Sequence, residues 1–154
     1  MSGSVLTLAS ASPRRKELLE QVGFEVKVMS SEVDEQPLAV EMPLDYTKRL
    51  AQAKVQAAVR RINATLYAKD ESSARSYFPP LHSEDSPRWV VGADTVVAID
   101  DLLLGKPTDL QEGKEMLMRL SGREHVVVTG FSIMDLHRQK EGLQAVTTGV
   151  RFKR

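Results

Sequence analysis

The strongest constraint on the fold is the apolar segment WVVGADTVVAI at residues 89–99, which is rich in β-branched residues. A run of this composition predicts a buried β-strand. Residues 5–9 form a shorter apolar run, and residues 24–28 alternate apolar with charged side chains. Such alternation is typical of a strand with one buried face. The sequence therefore predicts a β-sheet at the centre of the protein.

Helical segments separate these strands. Ser12 and Pro13 are typical of the N-cap and the first residue of a helix. We expect this helix to end near Gln21, because Gly23 follows as a helix-terminating residue. A longer helix is predicted over residues 43–62, where apolar side chains recur on one face.

A third helix is predicted from a capping box in which Thr108 is the N-cap and Gln111 lies three residues later. We expect it to end near Leu120. The last two β-rich runs, HVVVTGFSIMD and LQAVTTGVRF, predict a hairpin. The order β-α-β-α-β-α-β-β predicts a single α/β domain over residues 1–154, with a mixed β-sheet flanked by helices. Residues 63–88 lack hydrophobic periodicity and are rich in serine and proline, which predicts a long loop insertion.

The composition excludes several classes of function. Lys plus Arg and Asp plus Glu each number 21, so the net charge is zero, and only 5% of residues are aromatic. A nucleic-acid surface needs a basic excess or stacking aromatic rings, so we expect no nucleic-acid partner. The chain has no cysteine, no signal-peptide pattern and no membrane-length apolar run. We therefore expect a cytoplasmic protein that does not bind membranes.

The start of the first helix has an unusual charge pattern. Arg14, Arg15 and Lys16 follow Pro13 directly, although acidic residues are favoured there by about 0.3–1 kcal/mol each. The cations are either solvated side chains that cost the helix some stability, or part of an anion site built with helix N–H groups and serine hydroxyls.

Asp94 is the second unusual residue because it interrupts the apolar run. A buried carboxylate requires a cation, a metal or hydrogen-bond donors nearby. Asp94 is either a strand-end residue in a local turn helped by Gly92 or part of a binding site. Because ligands of α/β proteins gather at the carboxyl ends of strands, we favour the functional interpretation.

Further charged residues are candidates for the same site. Lys54 lies among apolar residues of the second helix, so its ammonium either reaches solvent or serves the site. Lys106 is either an exposed turn lysine or a phosphate ligand. The acidic residues Glu32, Asp34 and Glu35, together with the aspartate of the apolar run, offer the oxygen ligands that Mg²⁺ prefers. The three histidines lack metal-ligand spacing.

Taken together, a series of segments resembles the Maf family of nucleotide pyrophosphatases in type and order: LASASPRRKELL, VDE, RLAQAK, VVGADTVV, GKPTD, LSGREHVVVTG and TTGVRF. The resemblance spans residues 6–152 apart from residues 63–88. It implies a fold related to the inosine-triphosphate pyrophosphatases. It also implies that nucleoside triphosphates are hydrolysed to the monophosphate and pyrophosphate with Mg²⁺ or Mn²⁺.

The resemblance implies residue roles as well. Asp94 resembles the family's proton acceptor and, with Glu35, a metal ligand. Arg14 and Thr95 match the branch selective for dTTP and UTP, whereas the branch acting on 7-methyl-GTP has Phe and Gln at those positions. The residues that resemble the polyphosphate-binding set are Ser10, Ser12, Arg14, Arg15, Lys54 and Lys106.

The family pattern continues past the VRF segment with a third specificity residue, a glutamine, whereas this chain ends at Arg154. We therefore expect a domain truncated at its C-terminus, with an exposed sheet edge and either self-association, for instance as a homodimer, or marginal stability. The function most consistent with the resemblance is a pyrophosphatase acting on dTTP and UTP. Two alternatives stay open: a pyrophosphatase for modified nucleotides such as 7-methyl-GTP, and a catalytically weak nucleotide-binding protein linked to cell division.

Overall fold

The computed structural model describes residues 5–30, 32–68, 87–100 and 102–153. Strands and helices alternate along them much as the sequence predicts. The elements in chain order are β1 (Val5–Leu8), α1 (Pro13–Gln21), β2 (Glu25–Val28), α2 (Pro43–Ala68), β3 (Trp89–Ile99), β4 (Leu102–Leu104), α3 (Leu110–Leu120), β5 (Glu124–Asp135) and β6 (Lys140–Arg151). Side chains of residues 66–68 are outside the description.

The strands form one mixed sheet, which confirms the predicted fold class. The strand order is β2-β1-β3-β5-β6, with β4 paired to β3 outside this path. β1 runs parallel to β2 and β3, whereas β5 runs antiparallel to both of its neighbours, β3 and β6. β5 and β6 form the predicted hairpin. Strand β3 is the centre of the sheet because it pairs with β1 and β4 along one edge and with β5 along the other.

Helix α2 packs against the sheet, and its apolar face forms the core. Leu50, Val55 and Ala58 on this helix are fully buried. Val90 on β3 is fully buried as well, and Val128 on β5 is only 2% exposed. Burying a Leu or Val side chain stabilises a fold by roughly 1.5–3 kcal/mol. The core therefore fixes α2 firmly over the middle of the sheet.

Two glycines let α2 approach the sheet closely. A Cβ atom on Gly92 of β3 would lie 2.7 Å from the carbonyl oxygen of Ala51, and one on Gly130 of β5 would lie 2.4 Å from the carbonyl carbon of Thr47. Both distances are shorter than Cβ contacts allow, so any larger residue would push the helix away. This close approach sets the distance between α2 side chains and the functional residues of β3.

Several predicted boundaries need correction. Helix α2 continues to Ala68 and thus includes residues 63–68 of the predicted loop, while residues 69–86 of that loop lie outside the described residues. The N-cap of α3 is Asp109, whose carboxylate accepts from the backbone N–H of Glu112 at 2.8 Å. Thr108 does not cap the helix and instead donates its hydroxyl and its backbone N–H to the Glu112 carboxylate. The capping box with Gln111 was therefore wrong by one residue.

The sequence pointed to a turn at Lys106 but not to strand β4, which lies just before it. Ser12 does occupy the N-cap position of α1, but its side chain makes no capping hydrogen bond. Gly23 has a positive φ of 94° just past the end of α1, as a helix-terminating glycine should. No helix in the described ranges combines the length and apolar character needed to cross a membrane.

Candidate active site

The candidate site lies at a gap along one edge of β3. On this edge β1 pairs with residues 89–91 and β4 pairs with residues 97–99. Between them, residues 92–96 pair with β5 on the opposite edge, but no strand in the described part of the chain pairs with them on this edge. Asp94 therefore lies in the middle of β3 and not at its carboxyl end, but it is adjacent to the carboxyl end of β1. The position still follows the rule that ligands of α/β sheets bind beyond strand ends.

Arg15 of α1 bridges this gap. Its Nη1 donates to the carbonyl oxygen of Ala93 at 2.9 Å and to Oγ of Ser10 at 3.2 Å, and its Nη2 donates to Oγ1 of Thr95 at 3.0 Å. The three acceptors orient the guanidinium. Burial lowers the pKa of Arg15, and the carboxylates of Asp94 and Glu35 oppose that effect. The side chain remains a fixed positive charge beside the open edge of the sheet.

Lys54 pairs with two carboxylates at once. Its Nζ lies 2.6 Å from Oδ1 of Asp94 and 2.9 Å from Oε1 of Glu35. Lys54 and Asp94 are only 8% and 9% exposed, so the ammonium does not reach out to solvent. The Glu35 side chain is 52% exposed and lies at the rim. The Lys54 hydrogen bond is the main cause that lowers the pKa of Glu35, helped by the charges of Lys106 and Arg15.

These side chains line a cleft of about 580 Å³, a size within the usual range of small-ligand pockets. The cleft holds most of the residues that the sequence analysis proposed for the site. Those present are Ser10, Ser12, Arg15, Glu35, Lys54, Asp94, Thr95 and Lys106. The walls also include Pro13 at the N-terminus of α1, where the helix dipole favours anions.

Some predicted residues are not brought into this cleft. Arg14 is exposed and does not line it. Lys16 forms a salt bridge with Glu20 one turn later on α1. Glu32 lines a separate groove, and Oδ1 of Asp34 accepts from the backbone N–H of Gln36. Of the three cations at the start of α1, only Arg15 serves the cleft, and of the acidic group only Glu35 does.

Two residues in contact with the site were missed by the sequence analysis. Tyr46 lines the cleft, and its hydroxyl donates to the carbonyl oxygen of Glu35 at 2.7 Å. A signal was available, because Tyr46, Leu50 and Lys54 follow one another at intervals of four on the same helix face. The hydroxyl of Thr129 on β5 lies 3.0 Å from that of Thr95. That pairing depends on strand register and has no local signal.

Glu35 and Asp94 are the carboxylates that could hold a divalent cation. Among the described residues, no group of three or more His, Cys, Asp or Glu side chains is arranged to hold a metal by itself. Mg²⁺ commonly binds through one or two carboxylates plus water and substrate phosphates. Two carboxylates that share one ammonium fit this partial donor set, because they already converge on a single positive charge.

A second groove, of about 460 Å³, lies near the carboxyl end of β2 and is lined by Ser30, Glu32, Arg60 and Arg61. Nη1 of Arg61 donates to the Ser30 carbonyl oxygen there. In the cleft at β3, by contrast, one buried lysine pairs with two carboxylates, so we assign the candidate site to that larger cleft.

The fold and the cleft define an α/β protein with a pocket for an anionic ligand. Comparison with known proteins gives the family. Residues 5–154 match the sequence pattern of the Maf-like protein family. This chain belongs to the Maf family, which confirms the resemblance seen in the sequence.

Relatives of known name agree with this assignment. The chain is 38% identical over 154 residues to a dTTP/UTP pyrophosphatase of Citrifermentans bemidjiense, an alignment that covers 100% of this chain and 68% of the relative. It is 39% identical over 153 residues to a dTTP/UTP pyrophosphatase of Geobacter sp. (strain M21), covering 99% and 67%. It is 40% identical over 148 residues to a dTTP/UTP pyrophosphatase of Clostridioides difficile (strain 630), covering 96% and 64%. The chain thus spans about two thirds of the length of these relatives.

Proposed function

We propose that this protein hydrolyses nucleoside triphosphates, with dTTP and UTP as preferred substrates, to the nucleoside monophosphate and pyrophosphate. The names of its relatives support this activity. The observation that carries it is the cleft itself, which Arg15, Lys54 and Lys106 line together with the carboxylate of Asp94.

The cations make the chemistry feasible. A triphosphate carries several negative charges, so its phosphorus repels an electron-rich nucleophile until those charges are neutralised. Arg15 is held by three protein acceptors and needs no reorganisation to present its charge. Ser10 and Ser12 add hydroxyl groups on the same wall of the cleft. These groups would hold the triphosphate and stabilise charge that develops in the transition state.

Asp94 is the residue we assign as proton acceptor. One water molecule attacks the α-phosphorus, the bond from that phosphorus to the bridging oxygen breaks, and pyrophosphate leaves with the bonding electrons. The proton of the water passes to the Asp94 carboxylate. Lys54 already donates to Oδ1 of this carboxylate, which fixes the orientation of the carboxylate. A triphosphate that draws the ammonium towards its oxygens would free Oδ1 of Asp94 to accept a hydrogen bond from the attacking water.

A divalent cation is part of this proposal, and Glu35 and Asp94 are the residues that would hold it. When bound, it would add to the neutralisation of phosphate charge by Arg15 and the two lysines. The protein residues would still orient the phosphates and accept the proton.

Nucleotide preference is proposed from Thr95. This residue lies on the cleft wall, with its hydroxyl between Arg15 and Thr129. Arg14, the other residue that matches the dTTP/UTP branch, is exposed outside the cleft. Thr95 is therefore the described residue that supports this preference.

The experiment is a nucleotide panel with Mg²⁺, in which pyrophosphate and orthophosphate are measured separately. dTTP, UTP, GTP and 7-methyl-GTP are compared, with the Asp94→Asn variant as the blank. We expect pyrophosphate from dTTP and UTP, and in ¹⁸O-labelled water we expect the label in the monophosphate. Orthophosphate as the sole product would overturn the proposal. Nucleotide binding without turnover would instead indicate the alternative, a nucleotide-binding protein.

We also infer a cytoplasmic location and no nucleic-acid partner, supported by the absence of cysteine and the zero net charge. A homodimer remains a prediction. Light scattering of the purified chain tests it directly.

A further inference from the structure

The loop between β2 and α2 carries Glu35 but has no regular structure of its own. In the described residues 32–42 no strand or helix is formed, and Val40 at its tip is 99% exposed with a positive φ of 59°. Nevertheless, Glu35 Oε1 lies 2.9 Å from Lys54 Nζ. A carboxylate on such a loop keeps one position only if other contacts hold the backbone.

Tyr46 provides the first of these contacts. Its hydroxyl donates to the carbonyl oxygen of Glu35 at 2.7 Å. Its ring is buried against Leu50, Val96 and Val128, so the donor is anchored in the core. Burial, reinforced by the nearby charges of Asp94 and Glu35, raises the pKa of Tyr46, so the hydroxyl keeps its proton at neutral pH.

Arg49, one turn later on α2, provides the second contact. Its Nη2 donates to the carbonyl oxygen of Gln36 at 3.1 Å. The same guanidinium forms a two-pronged bond with Glu41, at 2.6 Å from Nε and 2.7 Å from Nη2. Oε2 of Glu41 in turn accepts from the backbone N–H of Leu38 at 3.0 Å. The guanidinium also lies over the Tyr46 ring, 5.5 Å from its centre.

We propose that Tyr46 and Arg49 are positioning residues that hold Glu35 against Lys54 and beside Asp94. They fix the carbonyl groups of two successive residues, Glu35 and Gln36, and so restrict the backbone that carries the carboxylate. The proposal rests on the proposed function for its catalytic consequence. Tyr46 and Arg49 would act through Glu35.

The test uses the full chain with Tyr46→Phe and Arg49→Lys. Phenylalanine keeps the buried ring and removes only the hydroxyl, while lysine keeps the charge but loses the two-pronged geometry. The matched control is Thr65→Val, which removes a hydroxyl bond to a backbone carbonyl on the same helix, far along the chain from the loop. Since one hydrogen bond contributes modestly, we expect pyrophosphate release to fall about threefold to tenfold in the two variants and not in the control.

Hydrogen exchange gives a readout that does not depend on activity. The backbone N–H groups of Gln36 and Leu38 should exchange about threefold to tenfold faster in Tyr46→Phe and Arg49→Lys, while buried N–H groups in the middle of α2 should not change. Unchanged exchange in the loop would overturn the positioning role, whatever happens to turnover.

A double-mutant cycle with Glu35→Gln separates positioning from general stability. If Tyr46 acts through Glu35, Tyr46→Phe should lower turnover in the parent and have almost no further effect in the Glu35→Gln background. An equal loss in both backgrounds would overturn the proposal, because it would indicate a merely structural role. If the parent itself releases no pyrophosphate, the proposed function fails, and the exchange of the loop N–H groups alone decides the positioning role.

Discussion

Replacing Gly130 by alanine tests how the close approach of α2 builds the site. Gly130 on β5 is paired with Asp94 on β3, directly under the helix. The new Cβ would lie 2.4 Å from the carbonyl carbon of Thr47, 2.5 Å from its oxygen and 2.6 Å from the backbone nitrogen of Lys48. Carbon atoms normally pack at about 3.5–4.0 Å. Because all three neighbours are backbone atoms, no side-chain rotation relieves the contact, and α2 has to move outward by about 1 Å.

The expected cost follows from this displacement. Overpacking a tight core typically costs about 1–3 kcal/mol, and a clash between backbone atoms belongs at the upper end of that range. For a chain of this size, about 3 kcal/mol corresponds to a fall of about 6–12 °C in the unfolding temperature. The same movement lengthens the 2.6 Å bond between Lys54 and Asp94 beyond hydrogen-bond range. The turnover of Gly130→Ala should therefore fall by more than the decrease in the fraction of folded protein.

The assay compares Gly130→Ala with Gly142→Ala, which adds the same methyl group to the neighbouring strand β6. A Cβ at Gly142 would have no atom within 4 Å, so this variant should unfold and turn over like the parent. Thermal unfolding by circular dichroism and pyrophosphate release at 20 °C are the measurements. If the two variants unfold within about 2 °C of each other, less than 1 kcal/mol separates them and the reasoning is refuted.

Three further predictions concern charged residues. Asp94→Asn should lower pyrophosphate release by about 10²–10⁴-fold while nucleotide binding measured by calorimetry persists, and turnover within a few-fold of the parent would remove Asp94 as the proton acceptor. Arg15→Ala should lower kcat at least about tenfold, because a fixed cation is lost from the transition state. The control Lys16→Ala, which changes the next residue, should leave kcat unchanged. Equal kcat values for the two variants would contradict the assignment of Arg15 to the site. The Arg49 hydrogen bond lowers the pKa of Glu41 from its ordinary value of 4.5. The ionised Glu41 therefore stabilises the folded state above pH 4.5, and this stabilisation is lost as the pH falls through the pKa of Glu41 in the folded protein. Glu41→Gln should therefore show a shallower decline of unfolding temperature with acidification below about pH 4.5, and an unchanged decline would count against this pairing.

Most of the regular structure could be predicted because its signals are local. Pro13 fixes the first turn of α1, Gly23 adopts the positive φ that ends it, and residues 89–99 carry the β-branched composition of a buried strand. The predicted start of a helix was wrong where two adjacent residues are both suitable N-caps. Thr108 and Asp109 are both good N-caps, and the position of the helix backbone selects the aspartate. Strand β4 was missed because its three residues are stabilised by pairing with β3, which no local pattern reveals.

The residues that form the candidate site could also be predicted only in part from local sequence. The sequence by itself determined which residue types were available, namely cations after a proline and a lone aspartate in an apolar strand, and the family resemblance indicated their roles. Only the tertiary structure decided that Arg15 and not Arg14 faces the gap in β3. The physical reason is that side-chain direction on α1 is set by how the helix packs, which depends on contacts far away in the chain.

The pairing of Lys54 with Asp94 and Glu35 shows this dependence most clearly. The sequence shows a lysine on an apolar helix face, which is compatible with an ammonium that reaches solvent. Its burial requires α2 to lie close to β3 and β5, and that approach is permitted by glycines 92 and 130, which are distant from Lys54 in sequence. Local sequence therefore determined the elements and their chemical groups, whereas long-range packing decided which groups meet, because distances of a few ångströms are set by the contact of whole elements.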